Sequence, residues 1–310
     1  MHIVLANPRG FCAGVKRAIS IVENALKFYK KVIYIKHELV HNKYIIEKLR
    51  KKKVIFVEKI SDIPNYSIVV FSAHGVSKKT KEEAIKKKLI ILNATCPLVT
   101  KVHKEVENSS KKGIETIFIG HKNHPEVIGT LGHYNNKDSK IHLIQSIKDI
   151  KKISVKNNRK LNYFTQTTLS IKNTQNIIKS LKKKFPYISG PKKEDICYAT
   201  TNRQNAILKL SKISNIIFVI GSKNSSNTNR LTEIGKETGI YTKQIESFLE
   251  IKKKWIKNKK YIGITAGASA PEFLVKQVVK YLQKIGAITI KEMPGTKEEI
   301  TFNIPKNLFL

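Results

Sequence analysis

The chain has 310 residues, of which 41% are hydrophobic, and its 59 Lys and Arg against 23 Asp and Glu give a net charge of +36. This length exceeds one ordinary hydrophobic core, so we expect two or three lobes. No apolar run approaches the roughly 18 residues of a membrane-spanning helix, and the N-terminal segment does not resemble a signal peptide. We therefore expect a cytoplasmic protein with no membrane partner.

The excess of lysine is compatible with nucleic-acid binding, but a solvated cationic surface is the better interpretation. The lysines form short runs, such as 51–53, 86–88, 182–184 and 252–254, scattered through amphipathic helices and turns. The sequence has no arginine-rich arm, zinc finger or basic stripe with interleaved aromatic residues. We expect no nucleic-acid partner, and a surface that attracts an acidic protein or an anionic substrate.

The chain begins with a strand, a cysteine turn and a helix. The apolar run 3–5 leads into Gly10-Phe11-Cys12-Ala13-Gly14, and apolar residues at helical spacing follow through position 26. A thiol at the start of a helix lies near free N–H groups and the positive end of the helix dipole, which favour a thiolate. Predicted strands at 32–35 and 68–71 then end at polar loops containing His41 and His74.

The same order of elements restarts at Cys96 and again at Cys197. After Cys96, strands at 116–119 and 161–164 lead to loops with His124-Pro125-Glu126 and Thr167-Thr168. After Cys197, strands at 216–220 and 261–264 lead to loops with Ser225-Ser226-Asn227 and Ser269. The lysine-rich segment from about 135 to 159 is less clearly patterned, and the tail after about 286 predicts one or two closing strands.

Alternating strands and helices predict an α/β protein with mostly parallel sheets in three equivalent lobes. We place the lobes at 1–96, 97–193 and 194–310, with the closing tail from about 282. Parallel sheets bind ligands at the carboxyl ends of their strands, where the polar loops lie. Three lobes that each contribute one cysteine and two polar loops can form a single central site.

Three thiols at a common centre suggest a metal, and two kinds of metal site are compatible with them. A zinc site would take three cysteines and a histidine, although its ligands usually come from closely spaced pairs. An iron–sulfur cluster normally takes four cysteines, so three would leave one iron open to substrate. Buried structural cysteines are the third interpretation, which the three matched turns make unfavourable.

The polar loops are suited to binding an oxyanion such as phosphate, because they place N–H groups, hydroxyls and amides after strands and at helix starts. Glu126 is one of only two acids in these loops, and beside an open iron it could deliver protons, whereas on the surface it would cap a helix. Arg17 and Arg230 are candidate phosphate ligands, but we expect both to form salt bridges that anchor their helices.

Eight segments together resemble the 4-hydroxy-3-methylbut-2-enyl diphosphate reductases, the iron–sulfur enzymes that end the methylerythritol phosphate route to isoprenoids. They are GFCAGV, SAHGV, ATCPLV, GHKNHPEV, TQTTLS, ICYATTNRQ, GSKNSSN and TAGASAPE, which occur in the family's order along essentially the whole chain. The chain differs at Asn93, where the family has Asp, and at His133, where it has Gln.

The resemblance implies a trefoil of three lobes around one [4Fe–4S] cluster held by Cys12, Cys96 and Cys197. It implies that Glu126 and Thr167 are catalytic and face the substrate hydroxyl. The implied substrate-binding residues, most of them around the diphosphate, are His41, His74, His124, Thr168, Thr200, Ser225, Ser226, Asn227 and Ser269.

The resemblance also implies the reaction and the partners. The reaction is a two-electron reductive dehydroxylation that gives isopentenyl and dimethylallyl diphosphates, with the open iron binding the substrate hydroxyl. Ferredoxin or flavodoxin would supply the electrons. No coiled coil or apolar face demands a protein partner, so we expect a monomer.

Overall fold

The structure is a computed structural model that describes residues 1–305. Its strands are β1 His2–Leu5, β2 Ile33–Lys36, β3 Val54–Val57, β4 Ile68–Phe71, β5 Ile90–Asn93, β6 Glu115–Ile119, β7 Ile141–Ile144, β8 Leu161–Thr165, β9 Ile216–Ile220, β10 Tyr241–Ile245, β11 Tyr261–Ala266 and β12 Thr289–Glu292. Its α-helices are α1 Ala13–Tyr29, α2 Lys43–Arg50, α3 Lys78–Lys86, α4 Pro97–Lys111, α5 Pro125–Leu131, α6 Ile147–Ile150, α7 Ile171–Lys184, α8 Tyr198–Ser211, α9 Ser226–Glu237, α10 Lys253–Ile256 and α11 Glu272–Lys284. Short 3-10 helices lie at Ile60–Asp62 and Phe248–Glu250.

The strands form three sheets with the orders β3-β2-β4-β5, β7-β6-β8 and β10-β9-β11-β1-β12. Within residues 1–305 every paired strand runs parallel to its neighbour. Helices between parallel strands cover the sheet faces, which explains why β4, β6 and β9 are buried along their whole length. The prediction of three α/β lobes with mostly parallel sheets is confirmed.

The three sheets repeat one arrangement. Each has an edge strand, then two strands that end at polar loops, then a neighbour that leads to a cysteine. That neighbour is β1 before Cys12 and β5 before Cys96, and before Cys197 it is reduced to a single bridge between Asn162 and Ser189. Each thiol therefore follows the fourth position of one sheet, counted from the edge strand, and precedes the helix that leads into the next sheet.

The pattern of the sequence did not predict the three edge strands β3, β7 and β10. β7 and α6 both lie within the lysine-rich segment that we considered less patterned. β3 is a short apolar run, whereas β7 and β10 contain polar residues, which an edge strand with one neighbour and a partly exposed face allows. β10 is an example, with Lys243 and Gln244 in its centre and Tyr241 exposed at its start. The predicted closing tail contributes one strand, β12, which pairs with β1.

The chain divides into two compact units. The first comprises residues 1–15, 41–43 and 198–301 and contains the five-stranded sheet. The second comprises residues 16–40, 44–197 and 302–305, and contains the four-stranded and three-stranded sheets. The lobe boundaries at 96 and 193 stay a prediction, to which strand pairing adds that β1 belongs to the sheet of the C-terminal lobe.

Candidate active site

The three cysteines have equivalent surroundings. Each is a half-buried thiol outside any disulfide and lies just before a helix. The backbone N–H of each donates to a carbonyl in the loop after the neighbouring strand of its sheet, which is β11, β4 or β8. Cys12 donates to Ala268 at 3.2 Å, Cys96 to Ala73 at 3.0 Å and Cys197 to Thr167 at 3.0 Å. The repeat predicted from the sequence therefore extends to individual hydrogen bonds.

In the second unit, Glu126 and Thr167 form a buried hydrogen-bonded pair. The Thr167 backbone N–H donates to Glu126 Oε1 at 2.7 Å, and Thr167 Oγ1 donates to Oε2 at 3.0 Å. Burial raises the pKa of Glu126 to about 7, although both hydrogen bonds from Thr167 oppose the rise. A carboxyl group with a pKa near neutrality can both hold and release a proton under physiological conditions.

His124 and His74 lie together beside this pair. His124 caps the N-terminus of α5, and its Nδ1 accepts the backbone N–H of Glu126 at 3.1 Å. An Nδ1 that accepts a hydrogen bond is unprotonated, so the proton of the neutral ring is on Nε2. The rings of His74 and His124 meet edge to face at 5.8 Å between centroids, and Ser72 Oγ lies 3.3 Å from His74 Nδ1.

A glycine makes room for the loop that carries His74. Gly75 has φ +78°, and a Cβ there would lie 2.5 Å from the imidazole carbon Cε1 of His103. His103 is buried and stacks on His133 with 4.2 Å between ring centroids. Burial lowers the pKa of His103 to about 3, so the ring stays neutral and packs as an apolar plate. Both histidines therefore have a structural role here.

Thr168 lies on the same loop as Thr167 and is held by a residue that sequence reasoning did not single out. Gln166 is fully buried; its Nε2 donates to Thr168 Oγ1 at 3.0 Å, and its Oε1 accepts the His121 N–H at 3.0 Å. The position of Gln166 immediately after β8 is the only signal of this role in the sequence. It fixes the loop after β8 to the loop after β6.

In the first unit, Ser225 and Ser269 lie together near the backbone of His41. Ser269 Oγ donates to the His41 carbonyl at 2.9 Å and lies 3.4 Å from Ser225 Oγ. Ser225 caps the N-terminus of α9 by accepting the Thr228 N–H at 3.4 Å. Two hydroxyls and the start of a helix therefore converge in one small, largely buried region, as a phosphate-binding loop requires.

Asn227 connects three segments of the first unit. Its Oδ1 accepts the Ala268 N–H at 2.9 Å and its Nδ2 donates to Thr200 Oγ1 at 3.3 Å. Ser226 precedes it as the half-buried first residue of α9. Gly267 is required for this packing, because a Cβ there would lie 2.1 Å from Thr228 Oγ1. The predicted side chains therefore form two hydrogen-bonded pairs, 225 with 269 and 200 with 227, and the bond from Asn227 to the Ala268 backbone brings the pairs together.

The residues fit an iron–sulfur cluster in the chemistry of their donors. Three cysteine thiols with matched backbone settings provide three soft ligands of the kind that iron–sulfur clusters take. Among residues 1–305, no three His, Cys, Asp or Glu side chains form a group that could hold a metal ion.

In the same part of the chain, no helix is long and apolar enough to cross a membrane.

Comparison with known proteins identifies a family. The family model described as LytB protein matches residues 3–283. A relative from Buchnera aphidicola subsp. Schizaphis graminum is named 4-hydroxy-3-methylbut-2-enyl diphosphate reductase. It is 72% identical over 309 residues, and the match covers 99% of this chain and 99% of the relative.

Two solved structures are similar to the chain. That of the E-1-hydroxy-2-methyl-but-2-enyl-4-diphosphate reductase from Plasmodium falciparum has a TM-score of 0.93 at 38% identity, covering 99% of this chain and 96% of that one. That of an (E)-4-hydroxy-3-methyl-but-2-enyl diphosphate reductase has a TM-score of 0.66 at 32% identity, covering 92% of this chain and 100% of the other. The chain thus belongs to the LytB protein family and is an iron–sulfur oxidoreductase.

Proposed function

We propose that the chain reduces (E)-4-hydroxy-3-methylbut-2-enyl diphosphate to isopentenyl diphosphate and dimethylallyl diphosphate, the last step of non-mevalonate isoprenoid synthesis. The substrate takes up two electrons and two protons, its C–O bond at the hydroxymethyl carbon breaks, and the oxygen leaves as water. The names of the relatives support this substrate. The observation that carries the chemistry is the buried Glu126–Thr167 pair, which holds a titratable proton near pH 7.

In this proposal Cys12, Cys96 and Cys197 hold one [4Fe–4S] cluster. When bound, the cluster supplies the electrons and an iron that acts as a Lewis acid toward the hydroxyl oxygen. Hydroxide is a poor leaving group, since the pKa of water is about 15.7, so the oxygen also needs a proton. Glu126 supplies it through Thr167 Oγ1, which is hydrogen-bonded to the carboxyl group.

The substrate is held by its diphosphate, away from the bond that breaks. We assign that role to the uncharged group around Ser225, Asn227 and Ser269, together with Ser226 and the side chains of His41, His74 and His124. We also assign Thr168 and Thr200 to the substrate site, and the hydrogen bond between Thr200 and Asn227 supports the second of these assignments. Binding energy at the diphosphate orients the hydroxymethyl group, which lowers the entropic part of the barrier.

The net charge of +36 suits an acidic electron donor, and we propose ferredoxin or flavodoxin, which would dock transiently on this cationic surface. We further propose that the enzyme is a cytoplasmic monomer that binds neither membrane nor nucleic acid.

Anaerobic purification followed by iron, sulfide and product analysis tests this function. We expect about four iron and four sulfide per chain, the content of one cubane cluster. Both diphosphate products should form when a reduced dye donates electrons. Cys12→Ser, Cys96→Ser and Cys197→Ser should each lose the cluster and all turnover. Zinc without sulfide, or full activity in any of the three variants, would contradict the proposal.

A further inference from the structure

Three basic side chains occupy equivalent places relative to the cysteines. Arg17 lies five residues after Cys12, Lys101 five after Cys96, and Arg203 six after Cys197, so each is in the second turn of the helix that follows a thiol. Each donates to backbone carbonyls just before a different cysteine. Such contacts differ from the surface runs of lysine, because each of the three side chains has acceptors in a segment that ends at a thiol.

Arg17, at the start of α1, holds the segment before Cys96. Its Nη1 donates to the Thr95 carbonyl at 3.0 Å and its Nη2 to the Asn93 carbonyl at 3.4 Å, while Nε donates to the Asn303 carbonyl at 2.8 Å. The expected salt bridge of Arg17 is therefore replaced by a set of bonds to backbone oxygens, whereas Arg230 does pair with an acid, Glu233.

Lys101, in α4, holds the segment before Cys197. Its Nζ donates to the carbonyls of Lys193 and Glu194 and forms a 3.0 Å ion pair with Asp195, whose side chain is fully buried. The other carboxylate oxygen of Asp195 accepts the Thr165 N–H at 2.9 Å. One lysine therefore joins the helix after Cys96, the segment before Cys197 and the end of β8, two residues before Thr167.

Arg203, in α8, holds the segment before Cys12. It is fully buried, and its Nε and Nη2 both donate to the Gly10 carbonyl, at 3.0 and 2.7 Å. Its Nη1 forms a 2.9 Å ion pair with Glu298, which keeps the buried guanidinium compensated. A guanidinium directs several donors at once in a fixed plane, so it fixes a backbone turn more firmly than a single hydrogen bond can.

We propose that Arg17, Lys101 and Arg203 are positioning residues that form a cyclic interlock: the helix after Cys12 fixes the Cys96 segment, the helix after Cys96 fixes the Cys197 segment, and the helix after Cys197 fixes the Cys12 segment. This inference rests on the proposed function only in treating the three thiols as ligands of one cluster. Most acceptors in those segments are backbone carbonyls, and the one acceptor side chain among them is that of Asp195.

Hydrogen exchange tests the interlock, because each variant should affect the segment before a different cysteine rather than its own. The variants are Arg17→Met, Lys101→Met and Arg203→Met, with the exposed neighbours Lys16→Met, Lys104→Met and Lys209→Met as matched controls on the same helices. We expect exchange about tenfold faster at 93–96 for Arg17→Met, at 193–197 for Lys101→Met and at 10–12 for Arg203→Met, and little change in the controls. Acceleration at the cysteine of the same helix instead, or none beyond the controls, would overturn the proposal.

Conservative variants keep the test decisive if a methionine variant does not fold. Arg17→Lys and Arg203→Lys retain the charge but lose the fork of donors, so their segments should exchange at rates between those of the wild type and the methionine variants. Lys101→Arg should restore protection at 193–197. Wild-type protection in both lysine variants, together with none restored by Lys101→Arg, would show that the carbonyl bonds do not position the thiols.

The loaded enzyme gives a second readout. Lys101→Met should release iron to a chelator about tenfold faster than Lys104→Met, shift the electron paramagnetic resonance signal of the reduced cluster, and lower kcat per cluster about 10- to 100-fold. The KM for the diphosphate substrate should stay within about twofold, because the group around Asn227 is untouched. Equal kcat per cluster and iron release in Lys101→Met and Lys104→Met would overturn the inference. A wild-type protein without iron and sulfide would refute the proposed function instead, and the exchange pattern would still decide the interlock.

Discussion

The two compact units hold functional side chains of different chemical kinds. In the first unit, the group around Ser225, Asn227 and Ser269 consists of hydroxyls and an amide that bond to one another and to the backbone. In the second unit, Glu126 and His103 are buried ionisable groups. Burial raises the pKa of Glu126 and lowers the pKa of His103, which favours the uncharged form of each. We infer that the first unit supplies the uncharged part of the diphosphate site and His41, whereas the second unit supplies the proton donor Glu126 beside the diphosphate-binding His74 and His124.

This division makes opposite predictions for the two kinetic constants. The binding group contains no carboxyl group, so changes there should act mainly on KM. The proton-handling group should act mainly on kcat, since a proton donor is used only as the bond breaks. Both units contain thiols, so cysteine variants should not distinguish an effect on binding from an effect on proton transfer.

Glu126→Gln has the largest expected effect on this comparison. Glutamine keeps an acceptor for the Thr167 N–H but has no acidic proton, so kcat should fall about 10³-fold while KM changes little. In the wild type, Glu126 is protonated below its pKa of about 7, so kcat should decline as pH rises through that value. Steady-state rates from pH 5 to 9 test both expectations, and the variant should lack that decline. A variant with a near-wild-type rate would show that another group delivers the proton.

How much of this site the sequence predicts depends on whether side-chain or backbone atoms form its contacts. The loop residues were predictable because strands of a parallel sheet deliver their C-terminal loops to one edge, and short polar residues there stand out from the apolar strands. The thiols were predictable because the same turn occurs three times. The family assignment, confirmed by the match over residues 3–283, rests on these same segments.

The interlock and the edge strands β7 and β10 could not be predicted from the sequence, and the reasons are physical. Arg17, Lys101 and Arg203 are three of 59 basic residues, and their acceptors are backbone carbonyls, which no sequence pattern marks. Asp195 lies in a polar stretch, and only the structure shows that its side chain is fully buried. β10 alternates weakly because one of its edges has no partner strand.

A second prediction concerns stability in the proton-handling unit. Burial raises the pKa of Glu126 from 4.5 to about 7, so the native state holds this proton more tightly than the unfolded state does. Stability should therefore fall as pH rises from 4.5 to about 7, by about 3 kcal/mol for this group, and then level off. Glutamine cannot ionise, so Glu126→Gln should lose this part of the decline.

Urea unfolding of the cluster-free protein at pH 5 and pH 8 measures that difference. The variant should be more stable than the wild type at pH 8 and closer to it at pH 5, so that activity and stability change in opposite directions. Asp195 and Glu105 are also held toward their neutral forms by burial, but they are present in both proteins and cancel. An equal fall with pH in the two proteins would place the proton of Glu126 outside the buried pair.

The smallest expected effect tests the binding unit. Asn227→Ala removes a buried amide that bonds Ala268 and Thr200, and should raise KM about tenfold, the cost of one or two good hydrogen bonds to a charged ligand. Asn229→Ala is the matched control two residues along α9, where the amide donates only to the Lys223 carbonyl in an exposed position. Because no proton is supplied by this unit, kcat of Asn227→Ala should keep the wild-type pH dependence. A loss of that dependence, or a fall in kcat with KM unchanged, would mean that binding and proton transfer are not divided between the two units.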